Sequence, residues 1–350
     1  MFIRSSMSLV AVLVSLGLAQ QVGAVEVMGA GAPSAGAIYS KWADGWQKNG
    51  GHSLRYETMG PVKIIDAVKA GKIDFGVTDA PPSNAELSKI GMVAFPTVMT
   101  GLVPVVNVPG FKGGQLRLNG DVLARIMSGK ITDWADPAIV ALNESNHPAS
   151  KPIKVITRAD NSGSTLHLSS YLSATSPEWK SAFGTGYIVK WPAGTTAVKG
   201  SAEMVAAVKN TEGAIGYVDF GTAVEQGLAD VRMENHAGKF VRATPNAFIE
   251  ALQNSSWPNK GDFDEKLTNM RGSGSWPIAT AMFAVMPKVA DNVPRTTAAA
   301  QLFIRGFMSG DRAVNSMSYA PLPVTVQGKA TNTLSAIRDK AGQPLPMSFF

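Results

Sequence analysis

The sequence contains no cysteine. That absence excludes disulfides, thiolate metal sites, a cysteine nucleophile and a lipid-bearing N-terminal cysteine. Histidine is scarce as well: the chain of 350 residues has only four, His52, His147, His167 and His236. No two of them have the spacing of a metal-binding HExxH helix, so no metal or cofactor is expected. Lys and Arg number 32 against 26 Asp and Glu, for a net charge of +6. The basic residues nevertheless form no run of five and no stripe at helical spacing. A nucleic-acid arm is therefore not expected, and a generally cationic surface suits a small anionic ligand. Long hydrophobic runs are also missing after the first two dozen residues. The one that exists, Leu9–Ala19, follows Arg4 and precedes the small-residue pattern Val22-Gly23-Ala24. This has the form of a cleavable secretory signal over 1–24, too short to cross a membrane comfortably. The expected product is free in the periplasm or secreted, with no lipid anchor.

Hydrophobic residues make up 45% of the chain and charged residues 17%. That composition supports packed cores, and the length fits about two domains. Val25–Met28 is a short strand candidate ended by Gly29-Ala30-Gly31-Ala32. Ile38, Trp42 and Trp46 then recur every fourth residue, one face of a helix starting near Ser34. Ile64, Ala67 and Val68 mark a second helix, and Ile73, Phe75 and Val77 alternate as a strand stopping at Asp79-Ala80-Pro81-Pro82. Apolar strands follow at Leu102–Val108, Ile153–Val155, Gly213–Val218 and Ala279–Val285. Helices are expected around Val122–Ile126, Leu168–Leu172 and Ala299–Phe307. Alternating strands and helices predict an α/β fold with mainly parallel sheets.

In such sheets ligands sit beyond the carboxyl ends of strands, where helix N-termini present free N–H groups. Three places have that form. In Arg158-Ala159-Asp160-Asn161-Ser162-Gly163-Ser164 a strand ends and a helix opens at once. Arg158 supplies a permanent planar charge, Asp160 can orient it, and Ser162, Gly163 and Ser164 offer hydroxyls and accessible backbone. The same residues also make a plain helix cap with a surface ion pair. Asp79, at a strand end before two prolines, can accept a hydrogen bond from a protonated oxyanion and repel one without a proton. It is equally a turn-forming Asp. Gly29-Ala30-Gly31-Ala32-Pro33-Ser34 is either a backbone cradle or a tight turn.

These segments resemble the periplasmic phosphate-binding proteins. The resemblance is carried by GAGA…YSKWAD (29–44), IDFGVTDAP (73–81), FPTV (95–98) and VNVPG (106–110). It continues through SGKITDWADPAI (128–139), RADNSGS (158–164), KWPAG (190–194), GAIGYV (213–218) and WPI (276–278). The motifs keep the family's order over nearly the whole chain after residue 24. The resemblance implies the substrate-binding component of a phosphate ABC importer, a monomer of the two-lobed periplasmic binding protein fold (class II type). Two crossover segments near 100 and 275 would form its hinge. Lobe one would hold 25–99 and 275–350, and lobe two 100–274. It also implies roles for residues: Arg158 as the anion-binding guanidinium and Asp160 as its orienting carboxylate. Ser162, Gly163 and Ser164 would be the helix-start donors, and Asp79 the proton acceptor. The implied partners are inorganic phosphate or a related protonated oxyanion, and the permease subunits.

Two loops depart from the family. Where it has Thr-Phe this chain has Pro33-Ser34, and a Gly-Ser-Gly-rich loop is replaced by Gly60-Pro61-Val62-Lys63-Ile64. Each proline lacks an N–H donor. First-lobe donors are therefore expected to be fewer, with Ser34, Thr58 or Lys63 as candidate replacements. Two other classes stand beside the binding protein: a secreted phosphatase-like relative, for which no base is evident beside Ser162 or Ser164, and a secreted structural or signalling protein that has lost its ligand.

Overall fold

The computed structural model describes residues 24–347. The expected leader, apart from Ala24, lies outside the described residues. Among the described residues the main sheet follows a path of eight strands: β1 (Glu26–Gly31), β2 (Ser53–Thr58), β3 (Phe75–Thr78), β4 (Met92–Asn107), β5 (Lys154–Arg158), β6 (Thr196–Val198), β7 (Ala214–Asp219) and β8 (Ala279–Pro287). Their order across the sheet is β2-β1-β3-β8-β4-β7-β5-β6. At one end β1 pairs in parallel with β2 and β3; at the other β5 pairs in parallel with β7 and β6. The fold is α/β, as the alternation of strands and helices predicts.

The expectation of mainly parallel pairing is corrected in the middle of the sheet. There β8 runs antiparallel to β3 and β4, and β4 antiparallel to β7. Both strands are buried on both faces, and such strands carry an unbroken apolar run whichever way their neighbours point. Pattern alone does not separate the two cases. Strand β4 is also longer than its apolar end at Leu102–Val108 suggests. Its residues 92–101 pair with β8, and its residues 102–107 pair with β7. At the changeover, the Leu102 N–H donates to the Ile278 carbonyl at 2.9 Å and the Trp276 indole N–H to the Leu102 carbonyl at 2.9 Å. Gly101 has no side chain because a Cβ there would lie 2.6 Å from the Phe248 ring and 2.9 Å from Trp276.

Helices follow the parallel strands directly: α1 (Pro33–Gly50) after β1, α2 (Pro61–Lys69) after β2, α3 (Gly163–Thr175) after β5, α4 (Gly200–Asn210) after β6, and α5 (Phe220–Glu225) after β7. A later long helix, α6 (Val293–Ser309), packs on α1. The Ile38–Trp42–Trp46 face of α1 is buried as its period demands. Tyr39 and Phe75 meet Phe303 of α6 edge-on, with ring centres 5.5 and 4.9 Å apart. These aromatic contacts hold β1, β3 and α1 as one rigid block. The outcome for function is that five strand-to-helix junctions converge on one side of the sheet.

Candidate functional site

The junctions surround a cleft of about 980 Å³. Arg158, Asp160, Ser162, Gly163 and Ser164 line one wall, and Asp79 faces them from the end of β3. The structure thus brings together every candidate of the Arg158–Ser164 segment with Asp79. The side chains of Pro33 and Ser34 lie outside the described residues, so the Ser34 expectation has no counterpart here.

Arg158 closes β5. Its Nε and Nη2 donate to the two carboxylate oxygens of Asp160 at 2.7 and 2.6 Å. The fork-to-fork pair leaves the far edge of the guanidinium as donor toward the cleft. Asp160 also accepts the Gly200 N–H at 3.2 Å, which ties the start of α4 to the same arginine. Chiefly through the hydrogen bond from Arg158, its carboxyl is held below the usual range.

The residues at the start of α3 divide their work. Ser162 is buried, its hydroxyl accepts the Thr165 N–H at 3.3 Å, and its own N–H donates to the Tyr187 carbonyl at 3.1 Å. It is the helix cap. Gly163 and Ser164 lie in the first turn, where N–H groups have no intrahelical acceptor and the helix dipole is positive. A Cβ on residue 163 would fall 2.1 Å from Asp79 Oδ1. Glycine is needed there because the carboxylate of one wall lies against the backbone of the other.

Asp79 is fixed from several sides. Its carbonyl accepts the Thr280 hydroxyl at 3.2 Å, and the next residue's carbonyl accepts the Tyr187 hydroxyl at 2.8 Å. The carboxylate Oδ2 lies 3.2 Å from Nε2 of His167. That nitrogen is sealed from solvent and is not aligned for a well-directed hydrogen bond. Burial pushes the Asp79 carboxyl up, but His167 and then Arg158 outweigh it and leave it below the ordinary value. Asp79 is therefore a carboxylate at neutral pH, able to accept a hydrogen bond and unable to donate one.

Opposite stands a second acid, Asp219, which caps α5 by accepting the Thr222 N–H and hydroxyl at 3.0 and 2.6 Å. Burial, with a smaller push from Asp79, raises its carboxyl above the usual range.

The first-lobe loops offer less. Helix α2 starts with Pro61 at its first position behind Gly60, with no side-chain cap. Thr58 lines the cleft and Lys63 does not. The glycines at 29 and 31 are explained by packing: a Cβ at 29 would strike the Phe75 ring at 2.3 Å, and one at 31 the Val77 carbonyl at 2.1 Å. The Ala32 N–H already donates to that same carbonyl at 3.3 Å. Gly29–Gly31 are the close-packed end of β1, which corrects both the cradle and the turn expected there.

Sequence reasoning passed over Gly200, Ser201, Asp219 and His167. For His167 a signal existed: it lies four residues after Gly163, on the same face of α3 one turn below the backbone that lines the cleft. Gly200 and Asp219 are brought in by tertiary placement, which no local pattern announces.

Comparison with known proteins fits this geometry. A family described as PBP superfamily domain matches residues 18–311. The phosphate-binding protein PstS of Xylella fastidiosa (strain Temecula1) is 36% identical over 305 residues, 87% of this chain and 84% of its own. The PstS of Pasteurella multocida is 38% identical over 300 residues, 86% of this chain and 87% of its own. Among solved structures, the phosphate-binding protein from Stenotrophomonas maltophilia has a TM-score of 0.65 at 18% identity, covering 88% of this chain and 93% of that one.

Proposed function

We propose a phosphate-capturing role for this chain, which belongs to the PBP superfamily and, within it, to the family of the phosphate-binding proteins PstS. In this reading it takes up inorganic phosphate, or a related oxyanion that carries a proton, and presents it to the permease of an ABC importer. The observation that carries it is the pairing of opposites in the cleft: Arg158 and the start of α3 on one wall, a lone carboxylate, Asp79, on the other. The positive wall attracts any oxyanion. Asp79 then admits one whose O–H it can accept and repels one that has none.

The lobes of this reading are 25–99 with 275–350, and 100–274. The change of partner in the middle of β4 supports the first crossing, and the Leu102–Ile278 and Leu102–Trp276 bonds support a second beside it. Binding would close the lobes to the extent that ligand favours the closed form. No described helix is long and apolar enough to cross a membrane. An exported protein, cleaved near Ala24 and free of lipid, is part of the same proposal. A monomer acting without catalysis completes it. Against a hydrolase, the nearest imidazole is turned to Asp79, and among the described residues no hydrogen bond joins it to Ser162 or Ser164.

One observation favours a variant of this reading, in which phosphate binding is weakened: α2 opens on a proline without a cap. Isothermal titration with phosphate, sulfate and arsenate tests both. Phosphate binding without sulfate binding at pH 8 supports the role, and no response to any of the three defeats it. Mass spectrometry of the native protein checks the export claim, with an N-terminus expected at or near Val25. An intact Met1 on cytoplasmic material would refute it.

A further inference from the structure

His167 belongs to the second wall, yet it touches the selecting carboxylate of the first. It sits on α3 one turn below Gly163, with side-chain exposure of 15%. Asp79 lines both the main cleft and a smaller cavity of about 320 Å³, while His167 lines only the smaller one. The imidazole therefore stands behind the carboxylate, away from the anion, and acts on the ligand only through Asp79.

We propose that His167 sets how strictly the cleft demands a protonated oxyanion, by fixing the net charge of the Asp79–His167 pair. With a neutral imidazole the pair carries one negative charge, and an oxyanion without a proton is repelled. With an imidazolium the pair is neutral. The repulsion is then relieved, and a proton-free oxyanion can occupy the positive wall. Selectivity therefore falls as acid places a proton on the imidazole. The inference rests on the oxyanion reading of the cleft.

Other groups around the imidazole do not supply the same effect. Arg158 keeps its charge throughout, and burial raises the Tyr187 phenol so that it stays neutral. On the smaller cavity's other walls, Glu86 accepts the Ser83 N–H and hydroxyl, and Asp264 accepts the Asn84 N–H. Glu265 accepts the Ser256 N–H, and Lys266 completes the set. The three acids are engaged in these local hydrogen bonds. In the main cleft, which Asp160 and Glu225 also line, Asp219 is the strongest rival, since its carboxyl is raised by burial. It needs its own control.

Sulfate is the clean probe, because it carries no proton at either pH. Its affinity is measured by calorimetry at pH 8 and pH 5.5, with phosphate titrated in parallel. In the native protein sulfate should bind roughly ten-fold tighter, or more, at the lower pH, the scale of one unit charge added near a partly buried anion. In His167→Gln, which keeps a donor near Asp79 but does not titrate, the two sulfate values should agree within about two-fold. Asp219→Asn should keep the native shift. Flat sulfate affinity in the native protein, or none measurable at pH 5.5, overturns the proposal while phosphate binding stands. An unchanged shift in His167→Gln overturns it too, as does a shift lost in Asp219→Asn. If phosphate itself fails to bind, the oxyanion reading falls and this one with it. Should the Gln variant not fold, His167→Asn takes its place in the same comparison, read beside Asp219→Asn.

Discussion

The two walls of the cleft are built from the same parts and differ in what those parts offer a ligand. On each wall a parallel strand ends and a helix opens. On the second wall β5 delivers Arg158, α3 opens on Gly163 and Ser164, and Asp160 ties α4 to the arginine. On the first wall α2 opens on Pro61 without a cap, and the Ala32 N–H is spent within the sheet. What the first wall contributes instead is negative: Asp79. The difference teaches that, in the proposed reading, attraction and discrimination are separated in space, with one wall to bind oxyanions and the other to sort them.

The sharpest way to break this division is to remove the sorter. Asp79→Asn should collapse discrimination between phosphate and sulfate at pH 8, by as much as ~10⁴–10⁵, the range for a site built around one hydrogen bond. Competition calorimetry reads this directly, and an unchanged ratio would assign sorting to another residue. Arg158→Ala should weaken binding of every oxyanion by roughly 2–5 kcal/mol, the cost of breaking a desolvated charge pair. Lysine should restore only part, because the planar fork is lost. Restoring donors to the first wall works in the opposite direction. Pro33→Thr with Pro61→Ser should tighten phosphate by about 1.5–3 kcal/mol per recovered donor. Submicromolar affinity in the unaltered protein would show that Thr58 or another group already fills the gap.

Gly163→Ala sharpens the comparison at the point where the walls touch. Its Cβ would press on Asp79, so overpacking of ~1–3 kcal/mol should oppose closure. Small-angle scattering with and without ligand would detect a more open bound form.

The smallest expected effect is on stability in acid. Asp160 has a depressed carboxyl in the folded protein. Its contribution is present above the unfolded value and is lost as pH falls through the folded one. Asp160→Asn should therefore lower the melting temperature near neutral pH, and the gap to the native protein should close as pH falls below the usual carboxylate range.

Much of this was legible in the residues themselves. The period of Ile38, Trp42 and Trp46 places α1, and the strand-to-helix switch at Arg158–Ser164 marks the binding wall. Asp79 was visible as a carboxylate at a strand end, though its state was not, because His167 and Arg158 reach it only through the fold. The glycines at 29 and 31 mislead for the opposite reason. A cradle, a turn and a close-packed strand end use the same residue, and only the positions of Phe75 and Val77 tell them apart. The direction of β4 and β8 was hidden because burial on both faces erases the alternation that would reveal a partner. Ser162 illustrates a finer limit: cap and ligand donor share one sequence signature, and the hydroxyl that accepts the Thr165 N–H still has its own hydrogen to give.

The bonds from Leu102 to Ile278 and Trp276 join the two passages of the chain at the middle of the sheet. Two independent links would allow the halves to twist, slide or splay separately. In the proposed two-lobed reading, two links tied side by side would act as one axle. Relative motion would then reduce to a single angle, and any point far from the axle would report it. A pair of spectroscopic labels at the outer ends of α2 and α4 would turn ligand occupancy into one distance, making the protein a one-coordinate optical sensor for whatever fills its cleft.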